Sequence, residues 1–193
     1  RQAQVTAIML APIADASDLV RLLADARKNA LVIGPGLGLD HSSRELLETA
    51  LQDESARALV LDADALTLMG QDMMRACALI QARKGPVVLT PHEGEFARLA
   101  KPLVRSLESH WQVADSKCER ARWLAKASGA VIVLKGPDTI VASPDGRASI
   151  ATDLPPTLAT AGSGDVLAGM IGGLLAQGMA AFEAASAAVW LHG

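Results

Sequence analysis

The stretch TAGSGDVLAG at residues 160–169 combines three glycines, one carboxylate and the start of an apolar run. The apolar residues that follow recur at steps of three and four, which predicts an α-helix entered through the glycines; they are Val166, Leu167, Met170, Ile171, Leu174 and Leu175. Glycines at a helix entry leave backbone N–H groups bare, and the peptide dipoles add about half a positive charge there. The stretch therefore predicts a phosphate or other anion site at Gly162, Ser163 and Gly164.

Asp165 lies inside this predicted anion site. A carboxylate in the first turn of a helix often serves only as a favourable charge toward the helix dipole. The small residues in front of Asp165, however, leave room for a ligand, which a dipole role does not require. We therefore predict that Asp165 is a general base beside a bound phosphate, with the dipole role as the alternative.

Four further motifs each follow a short apolar run directly. The runs occupy 31–33, 58–61, 86–89 and 130–134, and the motifs are GPGLG at 34–38, DADAL at 62–66, TPHEGE at 90–95 and KGPDT at 135–139. Nearly continuous apolar strands alternating with helices predict an α/β fold, with a mostly parallel central sheet covered by helices on both faces. Ligands of such sheets gather at the carboxyl ends of the strands. We therefore expect all four motifs at one edge, facing the glycine-rich helix entry.

Single residues in these motifs suggest roles of their own. Gly36 allows either a tight turn or the close approach of a ligand, and no Walker-type Gly-Lys-Ser/Thr follows it. His92 follows Pro91 and is predicted to lie in the first turn of a helix, facing the cleft. Glu95 is predicted on the same helix face as a metal or water ligand; the alternative is that His92 and Glu95 only form a surface pair. Lys135 leaves a buried strand, placed either to meet a phosphate as a point charge or to reach solvent.

Other polar residues are predicted to cap helices. Asp62 and Asp64 flank one alanine, so they point to opposite sides, which argues against a paired metal site and favours one of them as a cap. Two capping boxes are predicted, one at Ser42 with Glu45 and one at Ser116 with Glu119.

Length and composition favour one domain over residues 1–193, since half of the chain is hydrophobic. The net charge of −3 argues against a nucleic-acid surface. No run of about 18 apolar residues and no leader pattern is present, so we predict a cytoplasmic protein that neither spans nor binds a membrane. The chain starts without methionine and stops inside an apolar helical pattern, so we expect a domain truncated at both ends. Cys77 and Cys118 are predicted to be buried free thiols.

Together, the motifs resemble the ribokinase-like superfamily. Within it they are most similar to the ADP- or ATP-dependent NAD(P)H-hydrate dehydratases, the carbohydrate-kinase-like domain of the YjeF family. The similarity rests on VIGPGLG at 32–38, LDADAL at 61–66, LTPHEGEF at 89–96, LKGPDTIVASPDG at 134–146 and LATAGSGDVLAGMIGGLLAQG at 158–178. Sugar and vitamin kinases of the superfamily tend to carry Asn where His92 stands, so His92 favours the dehydratases.

The resemblance implies a ribokinase-like three-layer α/β/α fold and a metabolite-repair lyase. Such an enzyme restores NADH or NADPH from its hydrated form with ADP or ATP, through phosphorylation of the C6 hydroxyl and loss of phosphate. It implies Asp165 as catalytic residue, and Gly36, His92 and Asp165 as contacts to the hydrate. The implied nucleotide contacts are Lys135, Gly136, Pro137, Asp138, Thr139, Gly162, Ser163 and Gly164. Mg²⁺, a homo-oligomer (a tetramer) and a fused N-terminal epimerase domain are further implications.

The sequence also departs from the family pattern. The family's N-terminal segment does not precede Arg1, and residues 153–156 replace a Gly-Asn-Pro turn. We therefore expect the fragment alone to be poorly active and the full-length protein to work. Two alternatives stay open, namely a ribokinase-like kinase of a small alcohol such as a vitamin precursor, and a nucleotide-binding domain without catalysis.

Overall fold

The computed structural model describes residues 8–106, 116–152 and 154–193. In chain order the elements of these residues are α1 (Ala16–Leu23), β1 (Ala30–Ile33), α2 (His41–Leu51), β2 (Ala58–Leu61), α3 (Ala63–Met69), α4 (Met73–Ala82), β3 (Val87–Leu89), α5 (Glu93–Ser106), α6 (Lys117–Ser128), β4 (Val131–Leu134), β5 (Thr139–Ala142), β6 (Ala148–Ala151), a short 3-10 helix (Pro156–Leu158), α7 (Ser163–Ala176) and α8 (Ala181–His192). None of the described helices has the length and apolarity of a transmembrane segment.

The six strands form one sheet in the order β1-β2-β3-β4-β5-β6. The first four strands run parallel, and β5 and β6 add an antiparallel hairpin at the end of the sheet. Helix α7 packs on β1 and β2, and α8 packs on β3, β4 and β5. The other six helices contribute to the apolar core on the opposite face. The predicted three-layer α/β/α fold with a mostly parallel sheet is confirmed.

The sheet is apolar on both faces because neighbouring residues of a strand point to opposite sides. In β2, Leu59 and Leu61 belong to the core under α1 to α6, whereas Ala58 and Val60 belong to the core under α7 and α8. Each fully buried leucine contributes roughly 2 kcal/mol to folding. Gly172 permits the close packing of α7 on β1, because a Cβ atom there would lie 2.5 Å from the Val32 side chain.

One of the two predicted capping boxes is present. Ser116 Oγ accepts from the Glu119 amide and the Glu119 carboxylate accepts from the Ser116 amide, so the box at the start of α6 is confirmed. The box at Ser42 and Glu45 is wrong, because α2 begins earlier with Asp40 as its cap. Asp40 Oδ1 accepts from the Ser43 amide at 2.8 Å, so this charged acceptor two residues upstream takes the capping role.

Cys77 gives the fold a testable pH dependence. It is buried in α4 and free, and burial raises the pKa of its thiol to about 11. The unfolded-state pKa is about 8.5. Burial of the neutral thiol therefore stabilises the fold fully below pH ~8.5, and this contribution is lost as the pH rises toward about 11.

We expect a Cys118→Ser variant, in which Cys77 is the one remaining cysteine of the 193 residues, to react with a thiol reagent at pH 8 only as fast as the chain unfolds. Urea should accelerate the reaction. The urea concentration at the midpoint of unfolding should decrease as the pH is raised from 9 to 11, and it should decrease more than in a variant that also carries Cys77→Ala. Immediate stoichiometric labelling of the folded variant at pH 8 would contradict the burial of this thiol.

Candidate active site at the carboxyl ends of the strands

The four parallel strands end at the same edge of the sheet, where backbone contacts join the segments that follow them. The Asp62 amide donates to the Ile33 carbonyl at 3.2 Å, and the Lys135 amide donates to the Pro91 carbonyl at 2.8 Å. His92 and Lys135 are paired as a parallel bridge beyond the ends of β3 and β4. The motifs predicted to gather at one sheet edge therefore do so.

The turn at 34–38 is built for close backbone contact. Gly34 has a φ of +132°, and a Cβ atom there would lie 1.8 Å from the Asp62 carbonyl oxygen, so only glycine fits. The turn is also tied to α3, because the Gly38 amide donates to Asp64 Oδ2 at 2.8 Å. A Cβ at Gly36 would meet no heavy atom within 4 Å, so this residue borders open space at the sheet edge.

Asp62 and Lys135 form an ion pair at the centre of this edge. Lys135 Nζ lies 2.9 Å from Asp62 Oδ1, with 2 % of the Asp62 side chain and 21 % of the Lys135 side chain exposed. The expectation that Asp62 or Asp64 caps a helix needs correction. Asp62 takes the N-cap position of α3 by its backbone, but its side chain makes no capping bond and reaches Lys135 instead. The two carboxylates have separate partners, as their spacing predicts.

The glycine-rich helix entry meets this ion pair. Gly162 starts α7 with a φ of +86°. A Cβ atom at Gly164 would lie 3.3 Å from Lys135 Nζ and 3.8 Å from Asp62 Oδ2. The Lys135 ammonium group thus lies against the first turn of α7, which excludes the alternative that Lys135 merely reaches solvent.

The predicted set of free amides in this turn is partly wrong. The Ser163 amide donates to the Thr160 carbonyl at 3.2 Å, because the turn closes on itself before the helix begins. Within the described residues, the amides of Gly162, Gly164 and Asp165 have no backbone acceptor, so they are donors open to an anion. Asp165 is exposed and its carboxylate has no hydrogen bond or ion pair in the same part of the chain.

His92 lies outside the helix in which the sequence placed it. Helix α5 begins at Glu93, and His92 Nδ1 accepts from the amides of Gly94 and Glu95 at 3.0 and 3.3 Å. The ring nitrogen thus takes the acceptor role of an N-cap side chain, and the helix starts after His92 instead of at Pro91 as predicted. An accepting Nδ1 requires the neutral ring with its proton on Nε2. His92 therefore presents an Nε2–H donor, and its side chain is 56 % exposed.

Glu95, predicted as a metal ligand, is buried beside His92. Its Oε2 accepts from the His92 amide at 2.8 Å, and its Oε1 lies 3.6 Å from His92 Nε2. No group of three or more His, Cys, Asp or Glu in the described part of the chain could hold a metal ion by itself. Mg²⁺ commonly binds through one or two carboxylates plus substrate phosphates. A single carboxylate such as Glu95 could contact such an ion only together with phosphates, and its Oε1 is the oxygen that does not accept the His92 amide.

The segment 135–139 forms the turn from β4 to β5, and it is clamped by a residue that the sequence did not single out. Lys117 Nζ contacts the Asp138 carbonyl and lies 3.2 Å from Asp138 Oδ1. Burial raises the pKa of Asp138, but the hydrogen bond from Lys117, a backbone hydrogen bond and the charges of Lys117 and Arg120 together lower it by more, so the pKa lies below its ordinary value. Thr139 Oγ1 closes the turn by donating to the Gly136 carbonyl at 3.1 Å. No motif marks Lys117, which lies 21 residues before Asp138.

His192 is a second residue that the sequence did not indicate. Its Nε2 lies 3.1 Å from Ser163 Oγ, so the end of α8 is joined to the start of α7. The only signal in the sequence is a polar residue at the end of an apolar helix, which does not identify its partner.

Comparison with known proteins decides the family. A family model for NAD(P)H-hydrate dehydratase matches residues 2–193. The chain belongs to the NAD(P)H-hydrate dehydratase family. Among curated members of that family, it is 41 % identical over 170 residues to the ADP-dependent (S)-NAD(P)H-hydrate dehydratase of Neisseria meningitidis, covering 86 % of this chain and 53 % of that protein. It is also 41 % identical over 163 residues to the bifunctional NAD(P)H-hydrate repair enzyme of Mycobacterium tuberculosis, covering 84 % of this chain and 31 % of that protein.

Solved structures agree with this NAD(P)H-hydrate dehydratase assignment. The ADP/ATP-dependent NAD(P)H-hydrate dehydratase of Bacillus subtilis, co-crystallised with ATP and Mg²⁺, superposes with a TM-score of 0.67 at 36 % identity, covering 86 % of this chain and 53 % of that one. A hydroxyethylthiazole kinase from Pyrococcus horikoshii has a TM-score of 0.67 at 20 % identity, covering 94 % of this chain and 66 % of that one, and shares the fold alone. The chain spans about half the length of the Neisseria relative and less of the bifunctional one.

Proposed function

We propose that the full-length protein carrying this chain dehydrates hydrated NADH and NADPH to NADH and NADPH, using ADP and releasing AMP and phosphate. The observation that carries the proposal is the cluster of Lys135, Asp62 and Gly164, with His92 on the adjoining strand end. The cluster supplies a phosphate site, and His92 supplies a donor for the second substrate. The use of ADP rather than ATP rests on the similarity to the ADP-dependent enzyme of Neisseria meningitidis.

The chemistry requires that a poor leaving group be replaced by a better one. Asp165 takes the proton of the C6 hydroxyl group. The hydroxyl oxygen bonds to the β-phosphorus of ADP, and the bond from that phosphorus to AMP breaks. The phosphorylated oxygen then leaves as phosphate, and loss of a proton from C5 restores the dihydronicotinamide ring. A well-placed base contributes typically about 10²- to 10⁴-fold to such a step.

The transferred phosphoryl group needs positioning and charge stabilisation more than covalent help. Lys135 offers a point charge, and the open amides of Gly164 and Asp165 offer donors at the positive end of α7. We propose the clamped turn at 135–139, together with Gly162 and Ser163, as further contacts to the nucleotide. Gly164 is small enough to keep the ammonium group and the helix entry close together.

The hydrated nicotinamide is proposed to lie toward the turn at 34–38. Gly36 borders open space, so a ligand can approach its backbone. The Nε2–H group of His92 is placed to donate a hydrogen bond to a polar group of the hydrate, such as its carboxamide. Together with Asp165 these residues form the proposed substrate side of the site.

Mg²⁺ is proposed to enter with the nucleotide, where it would neutralise phosphate charge. Glu95 is the residue proposed to contact it, directly or through water, because Oε1 does not accept the His92 amide. The chain itself contributes the phosphate-facing cation Lys135 whether or not the metal is bound.

A kinase of a small alcohol is the second candidate, supported by the fold shared with hydroxyethylthiazole kinase. The Asp165 base and the α7 entry would serve either reaction. A third candidate is a nucleotide-binding domain without turnover. Both predict no ADP-dependent repair of the hydrate.

The test is an assay of the full-length protein with ADP and hydrated NADH. We expect the dihydronicotinamide absorbance to return, with one AMP and one phosphate formed per NADH, and no return when ADP is omitted. Phosphorylation of a thiazole or pyridine alcohol in place of this reaction would support the kinase. Nucleotide binding without either reaction would support the domain without turnover.

We further propose a homo-oligomer, a tetramer by family resemblance, in the cytoplasm, and a second domain fused on the N-terminal side in the full-length protein. The similarity to the bifunctional repair enzyme of Mycobacterium tuberculosis supports a second activity in the same chain. Light scattering on the full-length protein measures the assembly, and a monomer at micromolar concentration would contradict it.

A further inference from the structure

Asp62 is a buried carboxylate whose side chain neither caps its own helix nor faces solvent. It stands at the N-cap of α3 without making a capping bond, although Asp is among the best residues for that purpose. Its side chain is 2 % exposed and is turned across the sheet edge to Lys135, 73 residues away. Asp62 thus pairs with a distant cation instead of capping its own helix.

The backbones that carry both partners are fixed by the sheet. The Asp62 amide donates to the Ile33 carbonyl, the Asp62 carbonyl accepts from the Ala65 amide at 3.1 Å, and Gly34 packs against that carbonyl. The Lys135 amide is bonded to the Pro91 carbonyl. The flexible Lys135 side chain is thus held at both ends, at its backbone and at its ammonium group.

The held ammonium group lies where an anion at the α7 entry would meet it. Lysine has three donors, and the bond to Asp62 Oδ1 uses one of them. The position that a Cβ of Gly164 would take is 3.3 Å from the same ammonium nitrogen. A free lysine would lose much side-chain freedom on binding a phosphate, whereas a pre-positioned one has already lost it.

We propose that Asp62 is a positioning residue, which holds the ammonium group of Lys135 at the N-terminus of α7 to receive the phosphates of a nucleotide. The inference rests on the proposed nucleotide-binding role of Lys135. It predicts that Asp62 acts through Lys135 alone and only on ligands that carry phosphate.

The test uses the full-length protein with Asp62→Asn, Lys135→Gln and the double variant. Asp53→Asn is the matched control, since Asp53 pairs with Arg57, a buried cation with no part in the proposed site. Calorimetry measures the affinity for ADP and for adenosine, with and without Mg²⁺. The ratio of the two affinities reports the phosphate contacts, which a general loss of stability does not change selectively.

We expect Asp62→Asn to weaken ADP binding about tenfold, the size of one charge-assisted hydrogen bond, and to leave adenosine binding unchanged. In the Lys135→Gln background the same change should alter ADP binding less than about twofold, because effects on one interaction are not additive. Asp53→Asn should leave the ratio unchanged. If Asp62→Asn does not fold, Asp62→Glu, which displaces the charge, should give the same selective loss.

Other outcomes would overturn the inference. Unchanged or tighter ADP binding in Asp62→Asn would mean that the carboxylate only repels phosphate. Equal losses for ADP and adenosine, or a loss that persists without Lys135, would mean a structural role. A loss seen only with Mg²⁺ would make Asp62 a metal ligand, and absence of ADP binding by the unaltered protein would remove the role of Lys135. A protein that shows the expected ratios but does not repair the hydrate would overturn only the dehydratase proposal.

Discussion

Asp165→Asn is expected to lower the turnover of hydrated NADH by the full-length protein about 10²- to 10⁴-fold and to leave ADP affinity within about threefold. The amide keeps the size of the side chain but cannot take the hydroxyl proton. The binding groups are separate from it, because the Lys135 ammonium group and the α7 amides do not depend on the Asp165 carboxylate. Steady-state kinetics and calorimetry on the same preparation measure both quantities.

Asp145→Asn is the control for this variant, since Asp145 is an exposed aspartate in the hairpin turn, paired with Arg147. It should leave turnover unchanged. Turnover retained in Asp165→Asn would remove Asp165 from the chemistry and leave it the helix-dipole role. Loss of turnover together with ADP binding would mean that Asp165 acts in binding rather than as a base.

Gly34→Ala is expected to destabilise the protein by roughly 3 kcal/mol or more, from backbone strain and overpacking together. A methyl group at this position meets the Asp62 carbonyl oxygen at 1.8 Å, and the φ of +132° disfavours any side chain. Relief of the clash must displace the end of β2, and with it Asp62 and the ion pair to Lys135. We therefore expect ADP affinity to fall as well, measured by calorimetry beside urea unfolding.

Gly146→Ala separates the two causes. Gly146 has a φ of +92°, but a Cβ atom there meets nothing within 4 Å, so only backbone strain remains. We expect a loss of about 1 kcal/mol with unchanged ADP affinity. Equal losses in the two variants would show that the contact of Gly34 with Asp62 contributes nothing beyond its conformation.

The sequence was sufficient for the architecture because the relevant signals are local. Leu59, Val60 and Leu61 are consecutive apolar residues, which is the pattern of a strand that is covered on both faces of the sheet. Parallel strands bring their carboxyl ends to one edge of the sheet. The topology alone therefore predicts that Lys135, His92 and the α7 entry lie near one another.

What the sequence did not reveal depends on side chains that meet across the fold. Asp62 has two possible partners, its own helix amides or a lysine 73 residues later, and spacing does not choose between them. His192 reaches Ser163 only because α8 packs along α7. At His92 a ring nitrogen took the capping role that is expected of Ser or Asp, which propensities do not anticipate.

A crystal structure of the full-length protein soaked with ADP would show where the phosphates bind. We expect the β-phosphate at the start of α7, hydrogen-bonded to Lys135 Nζ and to the Gly164 amide, with Lys135 still paired to Asp62. Phosphates bound instead at the turn 34–38, with no contact to Lys135 or to the α7 entry, would contradict this expectation.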